Sequence, residues 1–373
     1  MNRIDLDHAA TTPLRPEARR AMLPWLQHGG NPSSLHAEGR RARAAIDLAR
    51  ERVATRMGCE FAEVVFTSGG TEACNLALVG RALANEDSRR TRILISAAEH
   101  ACVWGTAPLL RRLGYAVEAL PVDRDARPLL ERVDDDVLLV AAMAANNELG
   151  TITDVAPIAA LCRAAGATFF CDAVQRPGPT DADLVAVAAH KMGGPRGAGA
   201  LIVRAGTRIK PFVAGGAQER ERRGGTEDTA AIVGFGAACT LSSPDLEPVR
   251  DAFLDVLGIK QSSPFACERR GQGVESVPRS ESLPSIAHLR FPGVDAETLL
   301  LALDRAGIAA SAGAACASGA QEPSHVLLAC GWTPQEAKEA VRFSFGWTNT
   351  ADEAREAAKR VAGVIGRWAF RER

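Results

Sequence analysis

Between Val64 and Val203 short apolar runs of strand length alternate with longer amphipathic stretches, and that alternation restricts the chain to few folds. Val64-Val65-Phe66, Ile93-Leu94-Ile95, Val117 to Leu120, Val137 to Met143, Phe169 to Cys171, Val185 to Ala188 and Leu201 to Val203 read as strands. Helical stretches at about Ala73 to Leu83, Ala101 to Leu113 and Pro157 to Ala165 lie between them. The pattern predicts an α/β fold, a mostly parallel sheet with helices on both faces. Two helices precede it, near 16–26 and 36–57, the second with an Arg-rich solvated face. The character changes at Ser242-Ser243-Pro244. Beyond it come helices at about 245–258, 295–306, 334–340 and 352–369, strands near 286–291 and 341–345, and loops over 260–284. The predicted organisation is a large domain over 13–244, and a smaller α+β domain from 1–12 with 245–373.

Composition removes several classes of partner. The net charge of -1 in 373 residues offers no field for nucleic acid or an anionic membrane. No apolar run reaches bilayer-spanning length, and the first residues have no signal-peptide core. Nine cysteines, an odd number, are scattered with no close pair at metal-ligand spacing, so reduced thiols, a cytoplasmic protein and no metal are expected.

In open parallel sheets, ligands bind beyond the carboxyl ends of the strands. The first strand delivers Thr67-Ser68-Gly69-Gly70-Thr71-Glu72 into a helix, which suits either one phosphate group or an ordinary helix cap. No complete dinucleotide fingerprint or Walker pattern occurs. Later strands deliver Glu99-His100, Asn146-Asn147-Glu148, Asp172-Ala173-Val174-Gln175 and His190-Lys191. Taken alone, Lys191 fits a solvated surface lysine as well as a desolvated amine that forms a Schiff base. Phosphate donors, an acid, an imidazole, an amide and an amine at strand ends together describe pyridoxal phosphate chemistry.

These residues sit in motifs that resemble the fold-type I, class V aminotransferase-like enzymes, specifically cysteine desulfurases of the NifS/IscS kind. The motifs are Asp-His-Ala-Ala-Thr-Thr-Pro (7–13), Gly-Asn-Pro-Ser-Ser (30–34), Phe-Thr-Ser-Gly-Gly-Thr-Glu (66–72), Glu-His (99–100), Asn-Asn-Glu-Leu-Gly (146–150), Asp-Ala-Val-Gln (172–175), His-Lys-Met-Gly-Gly-Pro (190–195), Arg-Gly-Gly-Thr (223–226) and Arg-Phe-Ser-Phe-Gly (342–346). The resemblance implies that Lys191 holds pyridoxal 5'-phosphate, that Asp172 pairs with the ring nitrogen and that Gln175 bonds the phenolic oxygen. It implies that His100 stacks on the ring and moves protons. Gly70, Thr71 and His190 would hold the phosphate, with Thr226 reaching in from a second subunit of a homodimer. Asn147 and Arg342 would bind the carboxylate of L-cysteine.

The run from Ala309 to Gly319, almost all small residues, includes Cys316. By itself Cys316 reads as a buried structural cysteine. By resemblance it is the nucleophilic thiol of a loop over about 309–322, which takes sulfur from cysteine as a persulfide and passes it to an acceptor protein, leaving L-alanine. The other cysteines read as small hydrophobes, Cys171 pointing away from Asp172 and Cys267 unassigned. His8, His28, His36, His288 and His325 have no evident partner.

Departures from the family pattern are specific. Ala188-Ala189 precede His190-Lys191 where relatives carry Ser-Gly, which removes one phosphate hydrogen bond. Ala314 and Ala317 replace hydroxyl residues in the cysteine loop. The sequence closes soon after the last helix, without the tail some relatives use to hold a scaffold, which leaves the acceptor, in iron–sulfur assembly or another pathway, open. Three other readings use the same residues: another reaction on this fold (transamination or selenocysteine cleavage), a non-catalytic sulfur-transfer scaffold, and a cofactor-free Schiff-base enzyme.

Overall fold

The computed structural model describes residues 2–259, 281–313 and 322–368. Cys316, Ala314, Ala317, Cys267 and most of the expected 260–284 loops lie outside the described residues. Strands in chain order are β1 (Ile4–Asp5), β2 (Val64–Thr67), β3 (Arg92–Ser96), β4 (Ala116–Leu120), β5 (Val137–Ala141) and β6 (Thr168–Asp172). They continue as β7 (Leu184–Ala188), β8 (Gly199–Val203), β9 (Ile286–Arg290), β10 (Ile308–Ala309) and β11 (Ala340–Ser344). The helices are α1 (Pro16–Leu26), α2 (Ala37–Met57), α3 (Gly70–Leu83), α4 (Ala101–Trp104), α5 (Ala107–Arg112) and α6 (Ala156–Ala165). After them come α7 (Thr229–Cys239), α8 (Glu247–Val256), α9 (Ala296–Arg305), α10 (His325–Ala329), α11 (Pro334–Ala337) and α12 (Ala351–Trp368).

The predicted α/β architecture is present. Seven strands form one sheet in the order β2-β8-β7-β6-β5-β3-β4. All are mutually parallel except β8, which runs antiparallel to both neighbours. Alternate side chains feed two cores. Val65, Ile93, Leu139, Phe170 and Leu201 meet α3 on one face. Phe66, Leu94, Val140, Phe169 and Ile202 meet α2, α6 and α7 on the other. A third core joins Ile4 and Leu6 to α8, β9, α9, β10, β11 and α12.

Strand β2 ends the sheet, and its edge is closed by charge. The Phe66 N–H donates to Glu219 Oε2 at 2.9 Å, and Arg50 holds the same carboxylate with two bonds of 2.7 and 2.6 Å. An exposed edge invites strand addition, and this buried pair occupies it.

Some sequence boundaries shift. The helix expected over 101–113 is two, α4 and α5, interrupted near Gly105 and Thr106. Helix α3 starts at Gly70, ahead of the expected Ala73, which brings its N-terminus to the strand ends. The periodicity gives no sign of α7, because that helix is apolar on every side and wholly enclosed from Ala230 to Cys239. Its glycines let it press against its neighbours: a Cβ built on Gly236 would lie 2.6 Å from Ala49 Cα in α2.

Gly236→Val is expected to lower stability by about 1–3 kcal/mol, the usual cost of overfilling a packed core. Denaturant unfolding checks it, and an unchanged midpoint would contradict the close α2–α7 contact.

Candidate active site at the strand ends

The carboxyl ends of β2, β3, β5, β6 and β7 share one edge of the sheet, since only β8 is reversed. There they surround a cavity of about 440 Å³. Gly70, Thr71, His100, Asn147, Asp172, Gln175, His190, Lys191 and Arg342 all line it. Nine of the eleven residues proposed from sequence thus meet in one space. Of the other two, Thr226 is exposed and outside the wall, and Cys316 lies outside the described residues. Gly313 and His325, from either side of 314–321, also line the cavity.

Each group is fixed by its local fold. Helix α3 directs its N-terminus into the cavity, and Gly70 permits the approach: a Cβ there would stand 3.0 Å from Val174 Cγ2. The Lys191 ammonium donates to the Ala10 carbonyl at 3.0 Å and also to that of Ala9. Gln175 Nε2 donates to Ala9 O at 3.0 Å, so the N-terminal turn knits the amine and the amide together. His190 Nδ1 lies 3.1 Å from Thr11 Oγ1, and burial lowers its pKa to about 4, with Lys191 and Arg196 adding to the shift. It is therefore a neutral imidazole at pH 7.

Asp172 ends β6 with only 8% of its surface exposed. Burial raises its pKa, although the Val174 N–H donates to Oδ1 at 2.9 Å. His100 caps α4, its Nδ1 accepting from the Cys102 N–H at 3.1 Å. Its pKa is raised, chiefly by the Cys102 sulfur beside it. Glu99 is fully buried, and desolvation, with the Asp172 charge adding to it, raises its carboxyl pKa well above the ordinary range.

Arg342 is almost wholly enclosed. Nη2 pairs with Asp7 Oδ1 at 2.8 Å and Nη1 donates to Asn147 O at 2.7 Å, while Nε has no hydrogen-bond partner. Asn147 Oδ1 is likewise buried and unpartnered. Two orphaned polar atoms on one wall mark a place for a polar ligand.

Sequence reasoning missed several wall residues. Cys102 lines the cavity, and Cys74 stands beneath it. The Cys102 thiol is lowered to about 6 by a hydrogen bond from Cys74 and, after burial opposing it, by His100. Cys171 does face away, into the opposite core. His325 finds a partner in the Glu99 carbonyl at 2.8 Å, His8 in Thr12 at 2.6 Å, and His36 caps α2. The His325 contact joins residues far apart in sequence, which spacing cannot reveal, whereas the His8 and His36 contacts are local.

A family model described as aminotransferase class-V matches residues 4–356. The chain belongs to that family. Among its relatives is a "Putative cysteine desulfurase IscS 1" of Bacillus subtilis (strain 168), 40% identical over 383 residues, spanning 98% of this chain and 100% of the relative. A solved structure described as a NifS-like protein superposes with a TM-score of 0.86 at 30% identity, covering 98% of this chain and 99% of that one. Another, SspA in complex with cysteine, gives 0.79 at 28% identity over 91% and 98%. Class-V members of this kind depend on pyridoxal phosphate, and the donors here fit it: a helix N-terminus with Thr71 for the phosphate, a buried carboxylate for a protonated ring nitrogen, and Lys191 for the aldehyde carbon.

His288 sits beneath the site, paired with Arg342 across β9 and β11. Burial, then the Arg342 charge, pushes its pKa to about 3. Between pH 6.5 and 3 the unfolded chain binds a proton there that the folded chain refuses. Stability should therefore fall as pH drops through that window, by up to about 1.4 kcal/mol per pH unit. His288→Gln is expected to flatten that slope; equal slopes from denaturant unfolding between pH 6.5 and 4 would contradict it.

Proposed function

We infer that this protein is a pyridoxal-phosphate-dependent cysteine desulfurase, which converts L-cysteine to L-alanine and takes the sulfur as a persulfide on Cys316. The observation that carries the reading is the single cavity lined by Lys191, Asp172, His100, Arg342 and Gly313. Gly313 stands three residues before Cys316, and three residues of extended chain span only ~10 Å. The cofactor supplies a reactive aldehyde carbon and a ring that withdraws electrons from the substrate's α-carbon.

The chain's own residues do the rest. Lys191 anchors the cofactor and Asp172 keeps a proton on its ring nitrogen. Gly70, Thr71 and neutral His190 bind the phosphate, and Gln175 bonds the phenolic oxygen. Arg342 takes the substrate carboxylate with its planar fork, displacing Asp7, and Asn147 adds its side-chain amide. His100 moves protons to and from the substrate. The Cys316 thiolate attacks the substrate sulfur; the carbon–sulfur electron pair stays on carbon, which is then protonated to give alanine.

Thr226 completes the phosphate site of a second copy, so the enzyme works as a homodimer. Within its own copy, Arg223 of the same run pairs with Glu72 of α3 at 2.8 Å, which ties this segment to the first turn of that helix. Residues 13–244 form the cofactor-binding domain, and 1–12 with 245–373 the smaller one. None of the described helices is long and apolar enough to cross a membrane. A cytoplasmic site, and an acceptor protein that receives the sulfur for iron–sulfur clusters or another product, complete the reading.

Purified protein is expected to be yellow and to make alanine and sulfide from cysteine with a thiol. Cys316→Ala should stay yellow yet release no sulfide, and normal release would remove Cys316 from the reaction. Lys191→Ala should lose the native cofactor absorption band. Ala188→Ser should tighten cofactor binding, since a charge-assisted hydrogen bond is worth ~1.5–3 kcal/mol. Equilibrium dialysis tests this, and unaltered affinity would show that the missing hydroxyl is already replaced.

A further inference from the structure

Two thiols lie under the cavity where the desulfurase reaction gives neither a task. Cys74 is in α3 and Cys102 opens α4, and the two helices are tied together by Asn75. Its Nδ2 donates to Thr71 O at 2.9 Å and to Cys102 O at 3.1 Å. Cys74 is fully buried, whereas Cys102 is partly open to the cavity. Both sulfurs and an oxygen of Asp172 lie within 4.8 Å of one another, and Cys74 Sγ is 3.8 Å from Asp172 Oδ2. The other carboxylate oxygen is held by the Val174 N–H, so Oδ2 is turned toward the thiols.

This is a preformed three-donor arrangement. Tetrahedral Zn–S and Zn–O bonds of about 2.3 and 2.0–2.2 Å place neighbouring ligand atoms roughly 3.3–3.8 Å apart. Closing from the observed spacing needs only small side-chain movements. Two sulfurs in three donors select a soft cation and reject magnesium or calcium. The fourth position faces the cavity and would carry water.

We propose that Cys74, Cys102 and Asp172 form a binding site for a thiophilic cation of the zinc, cadmium or copper(I) class, and that its occupation excludes pyridoxal phosphate, because both require the Asp172 carboxylate. On binding, the two thiols release their protons to solvent and no electrons change hands. The cation site stands independently of the desulfurase reading; only the exclusion rests on the cofactor's placement over Asp172.

The test is titration of the full chain with Cd²⁺, both as holoenzyme and after removal of the cofactor. The cofactor-free protein should take up one Cd²⁺ per protomer with thiolate-to-cadmium absorption in the ultraviolet, and Cys316→Ala should keep that signal. The double variant Cys74→Ala/Cys102→Ala should lose it. Cys102→Ser alone, at the partly open position, should weaken binding at least tenfold with an unchanged circular dichroism spectrum. Bound Cd²⁺ should slow cofactor reloading at least tenfold, followed by the cofactor's absorption. Equal cadmium signals in wild type and the double variant, or no signal in wild type, would overturn the site. Uptake by the holoenzyme as strong as by the cofactor-free chain would overturn the exclusion. Neither readout depends on sulfide release, so a failed desulfurase assay leaves the result legible.

Discussion

A carboxylate taken out of water at the end of β6 governs the arrangement around it. Asp172 has lost most of its hydration, and a buried carboxylate is costly unless a proton, a cation or aligned donors stabilise it. One backbone N–H and the nearby charges of His100 and Lys191 offset part of that cost. A protonated pyridine nitrogen is the partner that would offset the rest, which is why the cavity suits its cofactor. The same deficit makes Asp172 open to a competing cation held by the two thiols beneath it. Glu99, buried beside it, has its carboxyl pKa raised by the same loss of hydration.

The sheet's direction is what gathers these groups. Parallel strands deliver their carboxyl ends to one edge, and α3 and α4 begin there, directly after β2 and β3. The reversed strand β8 fits between β2 and β7 at glycine: a Cβ on Gly199 would lie 2.7 Å from the Gly69 carbonyl carbon. That close approach sets the turn from which α3 starts, and so the position of Gly70 and Thr71. Arg342 comes from outside the large sheet, on β11, and reaches the cavity through its bond to the Asn147 carbonyl.

Much of this was legible beforehand. Short apolar runs with polar residues at their ends announce a parallel sheet with a site at one edge, and the nine lining residues follow from that rule together with the motif resemblance. Helix α7 was invisible because a helix enclosed on all sides has no polar face to give it a period. The split between α4 and α5 is marked in the sequence by Gly105-Thr106 and by Pro108 at the start of α5, a signal outweighed by the apolar residues on either side. Cys74 and Cys102 read as two unrelated small hydrophobes, since nothing along the chain says that α3 and α4 lie side by side.

The sequence by itself determined the fold class, the strand ends that carry chemistry and the identity of the amine, acid and imidazole there. These depend on local periodicity and on residue types at element boundaries, which the chain carries in one dimension. Only the tertiary structure decided that Arg342 is held by Asp7, that the walls leave Asn147 Oδ1 and Arg342 Nε unpartnered, and that two thiols converge on Asp172. Burial, and the pKa shifts that follow from it, depend on what every other element excludes from a point in space.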